Sequence, residues 1–179
     1  RITRGELRRL LAEVPGQARA LLEAEGYFSA QVRIQVDDGA NEGNGAGGAA
    51  AAPPSSSSPT PTPVLVHVVV EPGARSLVRR VQFVYVGELD NRLSADAPDA
   101  RELTEGLAQS WGLPEGEPFR QADWTNAKNA ALARLRADTY PMATWSGTSA
   151  SVDAQAQAAS LFLVADSGPA FSFGEVRIE

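Results

Sequence analysis

Two stretches of this 179-residue chain, 95 residues apart, carry the same features in the same order. In the first, Val66, Val68 and Val69 lead to Glu71, the turn Pro72-Gly73, and then Val78, Val81 and Phe83. In the second, Leu161, Leu163 and Val164 lead to Asp166, Ser167-Gly168, and then Phe173, Val176 and Ile178. Self-similarity at a fixed offset restricts the chain to folds built from one repeated supersecondary unit. Further upstream, Tyr27 and Tyr140 each follow a helical pattern, but they lie 113 residues apart. The 18-residue difference between the two offsets is what a single insertion in the first copy creates.

That insertion is Gly39 to Pro63. Its 25 residues are 6 Ala, 5 Gly, 5 Pro, 4 Ser, 2 Thr, 2 Asn and 1 Glu. No large apolar side chain offsets the entropy of ordering it, so disorder is expected. Lengthening a loop from about 5 to about 25 residues costs only about 1.4 kcal/mol, which a fold can bear. The remaining residues suffice for one ordinary domain or two small ones.

Composition excludes several functions. Zero Cys removes disulfides, thiol nucleophiles and Cys-based metal sites. Net charge is −6, and Gly87–Asp166 holds twelve acids against six bases. A nucleic-acid surface needs a basic stripe, and none is present. Anionic lipid is disfavoured for the same reason. No apolar run approaches the roughly 20 residues of a membrane-spanning helix. The chain opens at Arg1 with neither an initiator Met nor a leader pattern, as expected of a piece of something longer.

The periodicity places the elements. Leu7, Leu10, Leu11 and Val14 share a helical face. Pro15 predicts a break after Val14 and a second helix that ends at Gly26. Val32, Ile34 and Val36 alternate with Arg33, Gln35 and Asp37, a half-buried strand. Val64–Val70 is apolar at every position but His67, predicting a strand covered on both faces or at a sheet centre. Leu77–Val86 is a strand with Val81, Phe83 and Tyr85 on one face. Helices follow over Pro98–Ser110 and Gln121–Arg136, the latter with Trp124, Ala127, Ala131 and Leu135 along one stripe. Met142–Val152, Ser160–Val164 and Phe171–Ile178 read as strands. Each unit is thus strand–helix–helix–strand–strand, an α+β two-layer arrangement of a three-stranded sheet with two helices on one face. The expected boundaries are a first unit over 1–76 that lacks its first strand (39–63 being the insertion), a complete second unit over 77–168, and the first strand of a third over 169–179.

Glu25-Gly26-Tyr27-Phe28, Leu113-Pro-Glu-Gly-Glu-Pro-Phe119 and the stretch from Asp166 to Glu179, with its Phe173-Gly-Glu-Val-Arg-Ile178, resemble the ordered motifs of POTRA domains. These are the polypeptide-transport-associated modules of outer-membrane assembly factors in the Omp85 superfamily, and the resemblance is to the TamA-like group. It covers nearly all of the chain outside the insertion. It departs at Thr139-Tyr140-Pro141, where the family has Gly-Tyr-Phe, and in the polar Thr144–Ser151.

The resemblance implies a non-catalytic docking and scaffold region on the periplasmic face of the bacterial outer membrane. It implies unfolded outer-membrane protein segments and an inner-membrane-anchored translocation partner as ligands, no cofactor, no metal, and membrane contact only through a barrel beyond this chain. The expected route is β-augmentation, because an exposed sheet edge offers unpaired N–H and C=O groups. The second strands are the expected edges, giving Val32, Arg33, Ile34, Gln35 and Val36 as partner-binding residues. Gly73, Arg75, Arg79, Arg80, Gly168 and Pro169 mark the expected inter-domain junctions, where the arginines would bridge acids of a neighbouring unit. Competing readings are a two-partner secretion transporter, a cell-division POTRA scaffold, and a structural tandem module without clients. An enzyme would need convergent titratable groups, and the sequence has no Ser/His/Asp order, no phosphate loop and a single His, His67, inside an apolar run. Trp111 and Trp124, at helical positions, read as core rather than as a ligand platform.

Overall fold

The computed structural model describes residues 3–37, 64–137 and 139–172. The low-complexity insertion from 39 to 63, and all but the first two residues of the strand expected over Phe171–Ile178, lie outside them. The chain has four helices and two sheets among these residues, an α+β architecture. Its contacts divide it into two compact units, Arg1–Arg19 with Gln31–Glu71, and Ala20–Ala30 with Pro72–Glu179.

Helix α1 runs from Arg4 to Ala24. Thr3 and Glu6 form a capping box at its start. The Thr3 amide donates to Glu6 Oε2 at 2.8 Å, and the Glu6 amide donates to Thr3 Oγ1 at 3.2 Å. The break expected at Val14 is absent, and Pro15 lies inside one continuous helix. The apolar period explains this. Leu7, Leu11, Val14, Ala18 and Leu22 keep one face through Pro15 without a phase shift. The shared face outweighs the one hydrogen bond that Pro15 cannot donate. At the C-terminus the Tyr27 amide reaches Leu22 O at 2.8 Å and the Gly26 amide reaches Glu23 O at 3.0 Å, a Schellman cap with Gly26 at φ 93°.

In the first unit, strands β1 (Gln31–Asp37) and β2 (Leu65–Glu71) form a two-stranded antiparallel sheet. β2 is not covered on both faces as its composition predicts. Leu65, Val68, Val69 and Val70 are 39–58% exposed. β1 is its sole partner among the described residues, and no central position exists in a two-stranded sheet.

The second unit holds the core. Strands β3 (Leu77–Val86), β4 (Thr144–Asp153) and β5 (Ala158–Asp166) form a sheet in the order β3-β5-β4. β5, the last of the three in sequence, is central, parallel to β3 and antiparallel to β4. Helices α3 (Pro98–Gln109) and α4 (Gln121–Ala137) match the predicted segments. A third helix, α2 (Glu88–Ser94), is an addition to the predicted two-helix unit. Its seven residues show only Leu89 and Leu93 at helical spacing, too short a run to register as a period.

Ala159, Leu161, Leu163 and Ala165 of β5 pack with the buried α4 stripe of Trp124, Ala127, Ala131 and Leu135 in one cluster. Phe162, on the opposite face of β5, is exposed. Trp111 and Trp124 are core residues. Trp111 stands edge-on to Phe83 at 5.0 Å and to Trp124 at 6.1 Å between ring centroids.

The repeat is visible in the strand registers. Gln31 pairs with Glu71, and Thr144, 113 residues after Gln31, pairs with Asp166, 95 residues after Glu71. Gly73 and Gly168 both take positive φ, 71° and 61°, immediately beyond the two hairpins. The hairpins therefore share register and exit turn, and β4 differs by one irregularity between Trp145 and Gly147.

Candidate partner-binding edges

In β1 the side chains alternate. Val32 is buried, Ile34 half-buried, and Arg33 and Gln35 exposed; Val36, at the strand's end, is 43% exposed. Arg33 donates to Gln31 Oε1 at 3.0 Å and lies 3.8 Å from a Glu71 carboxylate oxygen. His67 Nε2 is 3.5 Å from Asp37 Oδ2, with both side chains at least half exposed. Pairs this exposed contribute little to stability. β1 has β2 on one side and no strand partner on the other among the described residues.

β4 ends the second sheet in the same way. Beside it lies a cleft of about 320 Å³ lined by Ala150, Val152, Phe28, Phe119, Ala20 and Ala24, among others. Trp145 anchors the strand from beneath, donating through Nε1 to Lys128 O at 3.3 Å.

β3, at the far side of that sheet, is different because a loop occupies its outer edge. The Val78 amide donates to Glu117 O and the Gly116 amide to Val78 O, both at 2.8 Å. The Val81 amide donates to Glu115 Oε1 at 3.3 Å, and the Phe119 amide to Ser76 O at 2.9 Å. Leu113–Phe119, one of the stretches that carry the sequence resemblance, thus closes half of a strand edge that would otherwise be open to pairing. Phe119 O in turn lies 2.2 Å from where a Cβ on Gly26 would stand.

The predicted junction residues fall at three places. Gly73 turns the chain where any Cβ would meet Ser29 Oγ at 2.7 Å. Arg75 lies over the Tyr27 ring, 4.9 Å from its centroid, and its buried Nε has no hydrogen-bond partner. Arg79 and Arg80 are both exposed, because β3 shifts register between Val78 and Arg80. Among the described residues none of these three arginines enters an ion pair with an acid. Gly168 precedes Pro169, and its amide donates to Asp166 Oδ1 at 2.9 Å.

One structural residue there escaped the sequence reading. Ser167 is fully buried. Its Oγ accepts the Leu89 amide at 3.0 Å, and its own amide donates to Val86 O at 3.1 Å. It satisfies an N–H in the first turn of α2 that otherwise has no acceptor. The signal was the Gly87 turn after β3 together with a small hydroxyl at the end of β5.

Among the described residues the titratable groups do not converge. Burial pushes the Tyr85 phenol up to about 12 and raises that of Tyr140. Hydrogen bonds from the Thr3 amide and then its hydroxyl lower Glu6. Among the described residues no group of His, Asp and Glu is placed to hold a metal ion. No helix there is long and apolar enough to cross a membrane.

No family model matches the chain. No curated protein matches it either. Among solved structures, it is similar to Haemophilus influenzae BamA POTRA3-5, with 22% identity and a TM-score of 0.41, over 88% of this chain and 50% of that one. It is also similar to Haemophilus influenzae BamA POTRA4, with 24% identity and a TM-score of 0.37, over 54% of this chain and 98% of that one. This chain therefore spans half the length of the first of these.

Proposed function

We propose that this chain is the periplasmic docking and scaffold region of an outer-membrane protein insertion or translocation factor, of the POTRA type and the TamA-like group. It binds and positions extended segments rather than catalysing a covalent step. Its ligands are unfolded outer-membrane protein segments, which add to β1 at Val32–Val36 by main-chain pairing, and a partner anchored in the inner membrane. The observation that carries this reading is the pairing pattern. β1 leaves one edge unpaired among the described residues, while β3, in the same chain, has half of its outer edge closed by a loop. A strand edge with no partner is a surface for strand addition. The ordered motifs and the repeated hairpin register support the assignment to tandem POTRA-type units.

Neighbouring residues of an antiparallel strand point their N–H groups to opposite sides. Of Ile34→Pro and Gln35→Pro, one removes a donor to β2 and the other a donor on the free edge. The variant that keeps the β1–β2 amides protected is expected to bind an extended outer-membrane-type peptide roughly two- to tenfold more weakly, the loss of about one hydrogen bond. Unchanged binding by that variant contradicts client pairing at β1.

A further inference from the structure

In the second unit, helices α3 and α4 are tied together by one side chain. Arg134 of α4 donates through Nη1 to Ser110 Oγ, just past the end of α3, at 3.2 Å. It lies over Gly106, where a Cβ would meet Arg134 Nη2 at 2.8 Å. Beyond this tie the two helices border a groove of about 620 Å³. Asp99, Glu102 and Leu103 of α3 line it, with Ala137, Tyr140 and Phe171. Asp99, Glu102, Leu103 and Gly106 fall at i, i+3, i+4 and i+7, so α3 turns a single face to the groove. Phe171 is held by its amide, which donates to Thr139 O at 2.9 Å, and it is 51% exposed.

This lining joins apolar contact to negative charge. Asp99 is paired with Arg92, but Glu102 enters no ion pair among the described residues. Arg134, the cation of the lining, is engaged by Ser110. The main-chain N–H and C=O groups of α3 and α4 are spent on their own turns. An occupant must therefore satisfy its own backbone, which a helix does and an extended segment does not. Charge complementarity then asks for basic residues beside the apolar face of that helix. A lysine or arginine there lays its methylene stem along Leu103 and carries its charge to Glu102 and the Phe171 ring.

We propose that the α3–α4 groove docks a basic amphipathic helix of a partner protein. This proposal does not depend on strand addition at β1.

The probe is an amphipathic leucine–lysine peptide of about four helical turns, with a counterpart carrying glutamate for lysine. Each is titrated into the full chain by isothermal titration calorimetry, and amide resonances are followed by nuclear magnetic resonance. The lysine peptide is expected to bind and to shift the amides of Ala100–Leu103 and Tyr140. The glutamate peptide is expected not to bind. Glu102→Gln should weaken binding roughly two- to fivefold, as for a partly exposed charge pair. Phe171→Ala should weaken it by a similar factor. Both side chains are exposed, so Trp111 and Trp124 fluorescence should not change. Glu13→Gln removes the same charge from an exposed site in the first unit and should leave the affinity as it was. Absence of binding by the lysine peptide overturns the proposal. So does an affinity that Glu13→Gln lowers as much as Glu102→Gln, or a set of shifts confined to β1 and β4.

Discussion

At the residue scale, the strictest constraints sit where backbone meets backbone. Gly26 holds φ 93° as the cap of α1, and its missing Cβ makes room for Phe119 O. Gly26→Ala forces an L side chain into left-handed geometry and into a carbonyl oxygen. It should destabilise the second unit by at least about 2 kcal/mol in urea unfolding followed by tryptophan fluorescence. A change within noise would mean the cap relaxes freely. Ser167→Ala removes the buried acceptor of the Leu89 amide and should cost about 1–3 kcal/mol in the same assay. Tyr85 gives a prediction in pH. Its phenol is pushed up to about 12 in the folded chain, so the unfolded chain, titrating near the ordinary 10.0, ionises first. Stability is therefore unaffected by this group below pH 10 and falls as pH rises from about 10 toward about 12. Denaturant midpoints across that range for wild type and Tyr85→Phe should converge only below it.

At the element scale, legibility followed the length of the apolar signal. α4 and β3 declared themselves because the Trp124 to Leu135 stripe and the Val81-Phe83-Tyr85 face each repeat their period, and α3 because Leu103 and Leu107 lie in a longer segment opened by Pro98 and closed by Gly112. α2 was too short to show a period and depends instead on Gly87, Leu89 and the distant Ser167. Pro15 misled because a local rule, a missing donor, was weighed above the unbroken phase of Leu7, Leu11, Val14, Ala18 and Leu22. Pro15→Ala should therefore raise the helicity of α1 and stabilise it by about 3 kcal/mol or less, read by far-ultraviolet circular dichroism during thermal unfolding. An unstable or less helical variant would show that Pro15 has a role of its own. β2 misled in another way. Six apolar residues out of seven in Val64–Val70 report what a strand can bury, and the partner that buries it is not encoded within the strand. Of the candidate site, the alternation of Val32 to Val36 was legible. The closing of the β3 edge by Leu113–Phe119 was not, since edge pairing depends on a contact between residues some 35 positions apart, such as Val81 and Glu115.

At the scale of the whole molecule, the two units differ in how they are held. Val32 is the one buried apolar side chain of the first unit among the described residues, whereas the second has a continuous cluster from Val78 to Ala165. Amides of β1 and β2 should exchange with solvent far faster than those of β5, since local opening exposes little apolar surface there. An added strand would supply the hydrogen bonds and burial that such a sheet lacks. The most direct measurement is hydrogen exchange across the full chain with and without a saturating extended outer-membrane-type peptide. The account predicts slowed exchange confined to β1, centred on Val32–Val36, and to its partner β2. Protection centred on the helices, or none anywhere at saturation, would contradict it.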